Sequence, residues 1–298
     1  MKVHSYFDWQ DTCDTLHMVL QMLGKAKLST LPPQPEWKQI VLHVTATGFS
    51  TGLIPDGSAA VELSVDVLAA HISIRSSNGY SCKIPFEDGL SVADYYHKLM
   101  NGLNCAGHQI KISLAPQESY LTEPFDKQDK KVIFNHSAAI DYFKVAIAAY
   151  DALLRFSSSF RGKKISPSLF WGTFDLTTVL YSGVEKPFPG KGVIEETAFD
   201  EQLIEFGFWP GDPSAPDPAL FVMAYPFINR ELSLDGIRAK GAIFSREKGE
   251  YFLPMSAVFV DDVTDPIAEM TQFCEDAFRI VAKEEGWENL DWLTKPLL

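Results

Sequence analysis

Residues 72–86 read ISIRSSNGYSCKIPF, and residues 242–255 read AIFSREKGEYFLPM. Each stretch has a glycine at its centre, Gly79 or Gly249, and in the first of them apolar and polar residues alternate on both sides of it. Asn78-Gly79 inside such alternation is a strong hairpin signal, because a tight two-residue turn needs positive φ. Each return segment carries a proline near its end, Pro85 or Pro254. A helical pattern follows in both cases. One covers 91–105, holds Cys105 and is closed by Gly107; the other covers 265–285, holds Cys274 and is closed by Gly286.

Upstream of the first hairpin, Leu16, Val19, Leu20 and Leu23 recur at helical spacing, so 11–28 is predicted as a helix capped by Asp11. Pro32, Pro33 and Pro35 make a stiff connection. Ile40, Leu42, Val44 and Ala46 alternate and predict a strand over 39–46, followed by Thr47-Gly48, a strand to Ile54 and another over 59–67. A short strand is predicted over 109–114. In the second half a long helix spans 137–160, and a strand pair follows over 169–174 and 176–181. Two Pro/Gly-rich loops, 183–192 and 210–218, bracket a strand at 206–209, and 220–225 is a further strand. The halves run in one order. The fold class is therefore α+β, with two similar repeats of helix, antiparallel strands and helix, which read either as a pseudo-twofold internal duplication or as the chance recurrence of a common strand–turn–strand–helix order. The repeats are 1–114 and 137–298, joined by a linker over 115–136 that contains Pro116, Pro124 and a charged run.

The chain has 298 residues, 46 % of them hydrophobic and 22 % charged, which are globular values. Its formal net charge of −13 speaks against nucleic acid and anionic membrane, which require a basic face. The N terminus has no apolar signal region, and no stretch is long and apolar enough to span a membrane. The four cysteines show no knuckle spacing, so the expected state is reduced thiols in the cytoplasm with no metal. Nucleophile-elbow, zinc-protease, Walker, dinucleotide and EF-hand motifs are missing, so the sequence names no cofactor and no reaction.

Candidate site residues come from side-chain patterns. His43, Thr45 and Thr47 alternate onto one strand face, and Trp171, Thr173, Asp175 and Thr177 onto another. If the repeats pair, those faces line a cleft in which His43 and Asp175 serve a polar ligand. Trp209 and Tyr225 stand beside the loops and supply aromatic surface, with Phe206 and Phe208 nearby. Cys13 and His17, four residues apart with Asp14 between, also fit a thiol nucleophile, against the plainer reading of a buried cysteine. His17 is kept as a polar ligand contact. The expected role is a small-molecule-binding protein or an enzyme with a cleft between the repeats. The alternative is a non-catalytic interaction protein or homo-oligomer that uses the aromatic loops. Nothing in the sequence sets the oligomeric state.

Several segments resemble a bacterial family catalogued as domain of unknown function 5996: SPSLFWGTFDL from Ser166, GFWPG from Gly207, AYP from Ala224, EYFLP from Glu250 and LHMVLQMLGKAKL from Leu16. The resemblance runs from about Leu16 to the closing helix and brings no activity with it. Trp171, Asp175, Trp209 and Tyr225 fit its pattern. His43 departs from it, since relatives are expected to carry an aromatic or apolar residue there.

Overall fold

A computed structural model describes residues 1–297. In chain order the elements are α1 (Gln10–Thr30), β1 (His43–Val44), β2 (Gly48–Ser50), β3 (Ile54–Asp56), β4 (Ala59–Asp66), β5 (His71–Ser76), β6 (Ser81–Pro85) and α2 (Val92–Cys105). They continue with α3 (His136–Ser157), β7 (Lys164–Phe170), β8 (Asp175–Glu185), α4 (Val193–Ala198), β9 (Glu201–Trp209), β10 (Ala219–Tyr225), β11 (Ile243–Ser245) and β12 (Glu250–Pro254). The last helices are α5 (Met255–Val258), α6 (Pro266–Glu284) and α7 (Leu290–Leu293). The fold is α+β, with two six-stranded antiparallel sheets.

One sheet runs β1-β2-β4-β5-β6, with β3 paired to β4, and the other runs β7-β8-β9-β10-β12-β11. Each runs in chain order apart from β3 in the first and the exchanged β12 and β11 in the second, and each is preceded by a helix (α1 or α3) and followed by another (α2 or α6). The repeat expected from the sequence is present, with one change of correspondence. In the first hairpin the leading strand β5 is inner and β6 is the edge, whereas in the second the leading strand β11 is the edge and β12 is inner. The position of β5–β6 in the meander is thus matched by β10–β12, and β11 is an addition.

The chain divides into two compact units. An N-terminal unit holds 6–143 and 169–175; a C-terminal unit holds 1–5, 144–168 and 176 to the C terminus. In the N-terminal unit Val61, Leu63, Val65, Ile72 and Ile74 are buried on one side of the sheet under α1 and α2. Gly102 of α2 lets the helix sit on Ile74, whose Cδ1 would lie 2.4 Å from an added Cβ. Ser91 caps α2: its Oγ accepts from Asp94 N at 3.2 Å, and Asp94 Oδ2 accepts from Ser91 N at 2.8 Å, a capping box. In the C-terminal unit, Phe156, Phe206 and Phe278 join α3, β9 and α6, with Phe156–Phe206 centroids 4.4 Å apart. Asp265 caps α6 by accepting from Ile267 N and Ala268 N, and Pro266 fills the first helical position.

Three predicted strands are corrected. Residues 39–46 hold only the two-residue β1, because Pro35–Ile40 turns as a 3-10 helix with Glu36 and Trp37 at φ 50° and 56°. The stretch 169–174 is strand only to Phe170; residues 171–174 form the turn before β8, with Phe174 at φ 67°. Thr45 and Thr47 therefore do not extend a His43 face, and Trp171 and Thr173 do not share a strand face with Asp175. Residues 109–114 form no strand.

Candidate functional site

The second sheet carries two different faces. In β10 the burial alternates: Leu220, Val222 and Ala224 are buried on the side of the Phe156–Phe206–Phe278 core, while Phe221 and Met223 are half-exposed on the other. In β12 Tyr251 and Leu253 are buried and Glu250, Phe252 and Pro254 are half-buried. The register Thr177↔Gly207↔Phe221↔Phe252↔Ile243 fixes one row of this outer face. The next rows hold Trp209, Ala219 and Pro254 on one side, and Val179, Glu205 and Met223 on the other. Gly207 makes room for Phe221: an added Cβ would lie 2.5 Å from the Phe221 ring and from Thr177 Cγ2.

Trp209 and Tyr225 both belong to this outer face. Trp209 lies across from Ala219, and Tyr225 across from Leu203, so six residues, about 20 Å, separate them along the strands. Tyr225 is buried at the far end among Phe188, Phe199 and Phe227, 5.1 Å from Phe199 by ring centroids. Phe206 and Phe208 point to the core instead. At the Trp209 end, Lys248 Nζ stands 5.5 Å from the Trp209 ring centroid and 5.7 Å from that of Phe252. Burial raises the Glu250 carboxyl to about 7, with Lys248 pulling the other way. No ion pair within 4.0 Å joins Glu250 to Lys248 among the described residues.

Sequence reasoning missed Phe221, Met223, Lys248, Glu250 and Phe252. The available signal was that FVM and EYFLP are apolar on both alternating faces, which an open one-sided sheet does not require. Beneath Phe221, Thr177 is buried and its Oγ1 has no hydrogen-bond partner among the described residues. Thr177→Val is expected to stabilise the protein by about 1 kcal/mol, a Tm rise of about 2–4 °C by differential scanning calorimetry; a fall would contradict this burial.

His17 and Trp171 come together in the N-terminal unit, in a closed arrangement. His17, Gln21, Gly24 and Lys25 share one side of α1. His17 Nε2 donates to Trp171 O and Gly172 O, both at 3.0 Å, so that nitrogen carries the proton. The Gln21 amide then donates to Gln117 O at 2.7 Å and Gly172 O at 3.1 Å, and its Oε1 accepts from Gln117 N at 2.8 Å. The His17 ring stacks on Phe174 at 4.9 Å, and burial depresses it to about 4, so it is neutral at pH 7. Trp171 is buried, donates to Ile40 O at 3.0 Å and lies against Gly24. Lys25 Nζ stands 5.6 Å from its ring, and burial lowers the Lys25 ammonium.

Asp14 does not reach His17. It accepts from Tyr6 OH at 3.0 Å and from Tyr120 OH. Cys13 is buried and burial pushes its thiol up, away from the thiolate. N-Ethylmaleimide on the folded protein should label Cys105 and Cys82 first and leave Cys13 and Cys274 until unfolding. Early, selective loss of Cys13, read by peptide mass spectrometry, would restore the thiol nucleophile. Asp175 begins β8 close to buried Tyr142, whose hydroxyl is raised chiefly by its own burial. His43 is exposed on β1 over Gly52, where an added Cβ would lie 3.1 Å from its ring. Burial and then Lys27 lower the His43 ring; Lys27 itself is lowered by burial to about 8 and donates to Val41 O.

A cavity of about 300 Å³ beside α6 is lined by Arg155, Asp265, Thr271, Gln272 and Glu275 among others. Its polar side chains already have partners: Arg155 pairs with Asp151 at 2.9 and 3.1 Å, Thr271 donates to Ile267 O and Gln272 to Asp276. No group of three or more His, Cys, Asp or Glu among the described residues is placed to hold a metal ion, and no helix is long and apolar enough to cross a membrane.

These features define an α+β protein with two meander sheets, one of them presenting a half-exposed aromatic face with an isolated carboxyl. The chain belongs to the family of unknown function DUF5996, which it matches over residues 3–293. No curated protein and no solved structure matches it.

Proposed function

We propose that the chain is a cytoplasmic, bacterial small-molecule-binding protein whose ligand lies on the outer face of the C-terminal sheet, over Trp209, Phe221, Met223 and Phe252. The observation that carries this reading is the alternation in β10 and β12, which leaves the paired Phe221 and Phe252 half-buried rather than buried, with Met223 and Glu250 two residues further along their strands on the same face. Contiguous aromatic surface with one polar anchor is the usual composition of a ligand site. The cytoplasmic setting is supported by four cysteines, none in a disulfide. Native mass spectrometry of protein from its host tests the reading. The native protein should retain an extra small-molecule mass that the Phe221→Ser/Phe252→Ser variant lacks. The same mass on both proteins would place the molecule elsewhere and defeat the reading.

Self-association is the second reading, favoured by Ile243, 51 % exposed on the edge strand β11. A dimer mass that becomes monomeric in Trp209→Ala or Ile243→Lys would replace the ligand reading with this one.

A further inference from the structure

The tip between β11 and β12 places a cation where a ligand cation would sit. Lys248 leaves the tip, crosses the outer face and holds its ammonium over two rings, Trp209 and Phe252. Its backbone is fixed: Lys248 N donates to Ser245 Oγ at 3.3 Å, and Gly249 N donates to Ser245 O at 2.8 Å. Gly249 has φ 72°, and an added Cβ would meet Ile228 O at 2.1 Å, so the tip is held against 228 as well as folded. The side chain itself is exposed and has no ion pair among the described residues. A flexible four-carbon stem held only by ring contacts is readily displaced.

The second observation is Glu250. It shares the outer face with Phe252, two residues on, and its carboxyl has no hydrogen bond among the described residues although it is half-buried. A half-buried carboxyl with no partner lacks what normally compensates burial. Two rings that attract a cation and a carboxylate beside them form a complementary set for one group, an ammonium attached to an apolar body. The chain's net charge of −13 favours the same sign of ligand.

We propose that the ligand of this face is an amine with an aromatic or alicyclic body, that Glu250 is its counter-ion, and that Lys248 occupies its place in the free protein. This rests on the reading of the face as a ligand site. A carboxylate ligand paired to Lys248 would leave Glu250 without a partner and bring two like charges together, so it fits less well.

The test compares 2-phenylethylammonium with 2-phenylethanol, which has a similar body and no charge, by isothermal titration calorimetry at pH 8. The native protein should prefer the ammonium by about tenfold. Lys248→Met should bind the ammonium about tenfold more tightly than the native protein and the alcohol within twofold. Glu250→Gln should lose the preference while still binding the alcohol. Equal affinity for both probes in all three proteins would overturn the amine assignment and leave the face as an apolar site. Weaker ammonium binding by Lys248→Met would also overturn it. Binding of neither probe to any protein would defeat the reading of the face itself. Circular dichroism melts of both variants check that they are folded.

Discussion

Trp171→Ala should destabilise the N-terminal unit by about 3–5 kcal/mol. The indole is 2 % exposed, fills the space beside Gly24 and donates to Ile40 O at 3.0 Å. Its loss opens a cavity and leaves the Ile40 carbonyl without that donor. Gly24→Ala should cost about 1–3 kcal/mol or more for the opposite reason, because the new Cβ would lie 2.1 Å from indole atoms that have no room to move. The two changes should couple. In a Trp171→Ala background, Gly24→Ala no longer clashes and gains about 1 kcal/mol of helix propensity, so its sign reverses. Urea unfolding of the four proteins measures the cycle. Additive losses would show that Trp171 and Gly24 are not packed together.

Glu250 sets a pH dependence of definite sign. Its carboxyl is raised from 4.5 to about 7 in the folded chain, chiefly by burial. Folding therefore favours the protonated form. The contribution is fully present below about pH 4.5 and is lost as pH rises through about 7. At about 1.36 kcal/mol per pKa unit the loss is about 3 kcal/mol. The charged groups on its face include Lys248 on the same hairpin and Glu205, beyond Met223 on β9. Glu250→Gln should match the native protein at pH 4 and exceed it by about 3 kcal/mol at pH 8. His17 works in the other direction: depressed to about 4, it costs stability as pH falls from 6.5 toward 4, and it does so equally in both proteins. The difference between them, from urea melts at each pH, isolates Glu250. A difference that is flat with pH would show that the carboxyl is not buried as described.

Much of the architecture is legible in the sequence because local signals and tertiary packing agree. Asn78-Gly79 makes its hairpin, Ser91 and Asp94 start α2, and Asp265-Pro266 starts α6. Two of the misread segments, 39–46 and 169–174, share one physical cause. Ile40 and Val41, inside the predicted strand 39–46, give their carbonyls to Trp171 Nε1 and Lys27 Nζ. Trp171 and Gly172, inside 169–174, give theirs to His17 and Gln21. Side chains of α1 and the Trp171 indole thus take backbone acceptors that alternation alone assigns to a sheet ladder, and no local pattern announces it.

The candidate site was legible in part. Trp209 and Tyr225 were found as aromatics near loops, and both share the outer face of the second sheet, at opposite ends. In the sequence Glu250 and Lys248 read only as hairpin residues. Their role depends on which way β12 faces, and that is fixed by its register with β10 rather than by the hairpin sequence. His17 and Trp171 were found for their chemistry, and their polar atoms are committed to backbone groups.

The most direct test of the face as a binding site is the methionine methyl spectrum of ¹³C-methyl-labelled protein, titrated with 2-phenylethanol. Seven methionines are spread through the chain, and Met223 is half-exposed on the face, whereas Met18 and Met22 are buried in α1. A saturable shift of the Met223 methyl, with Met18 and Met22 unmoved, is the predicted result. A Met223 signal that stays in place while another methyl shifts would contradict the account.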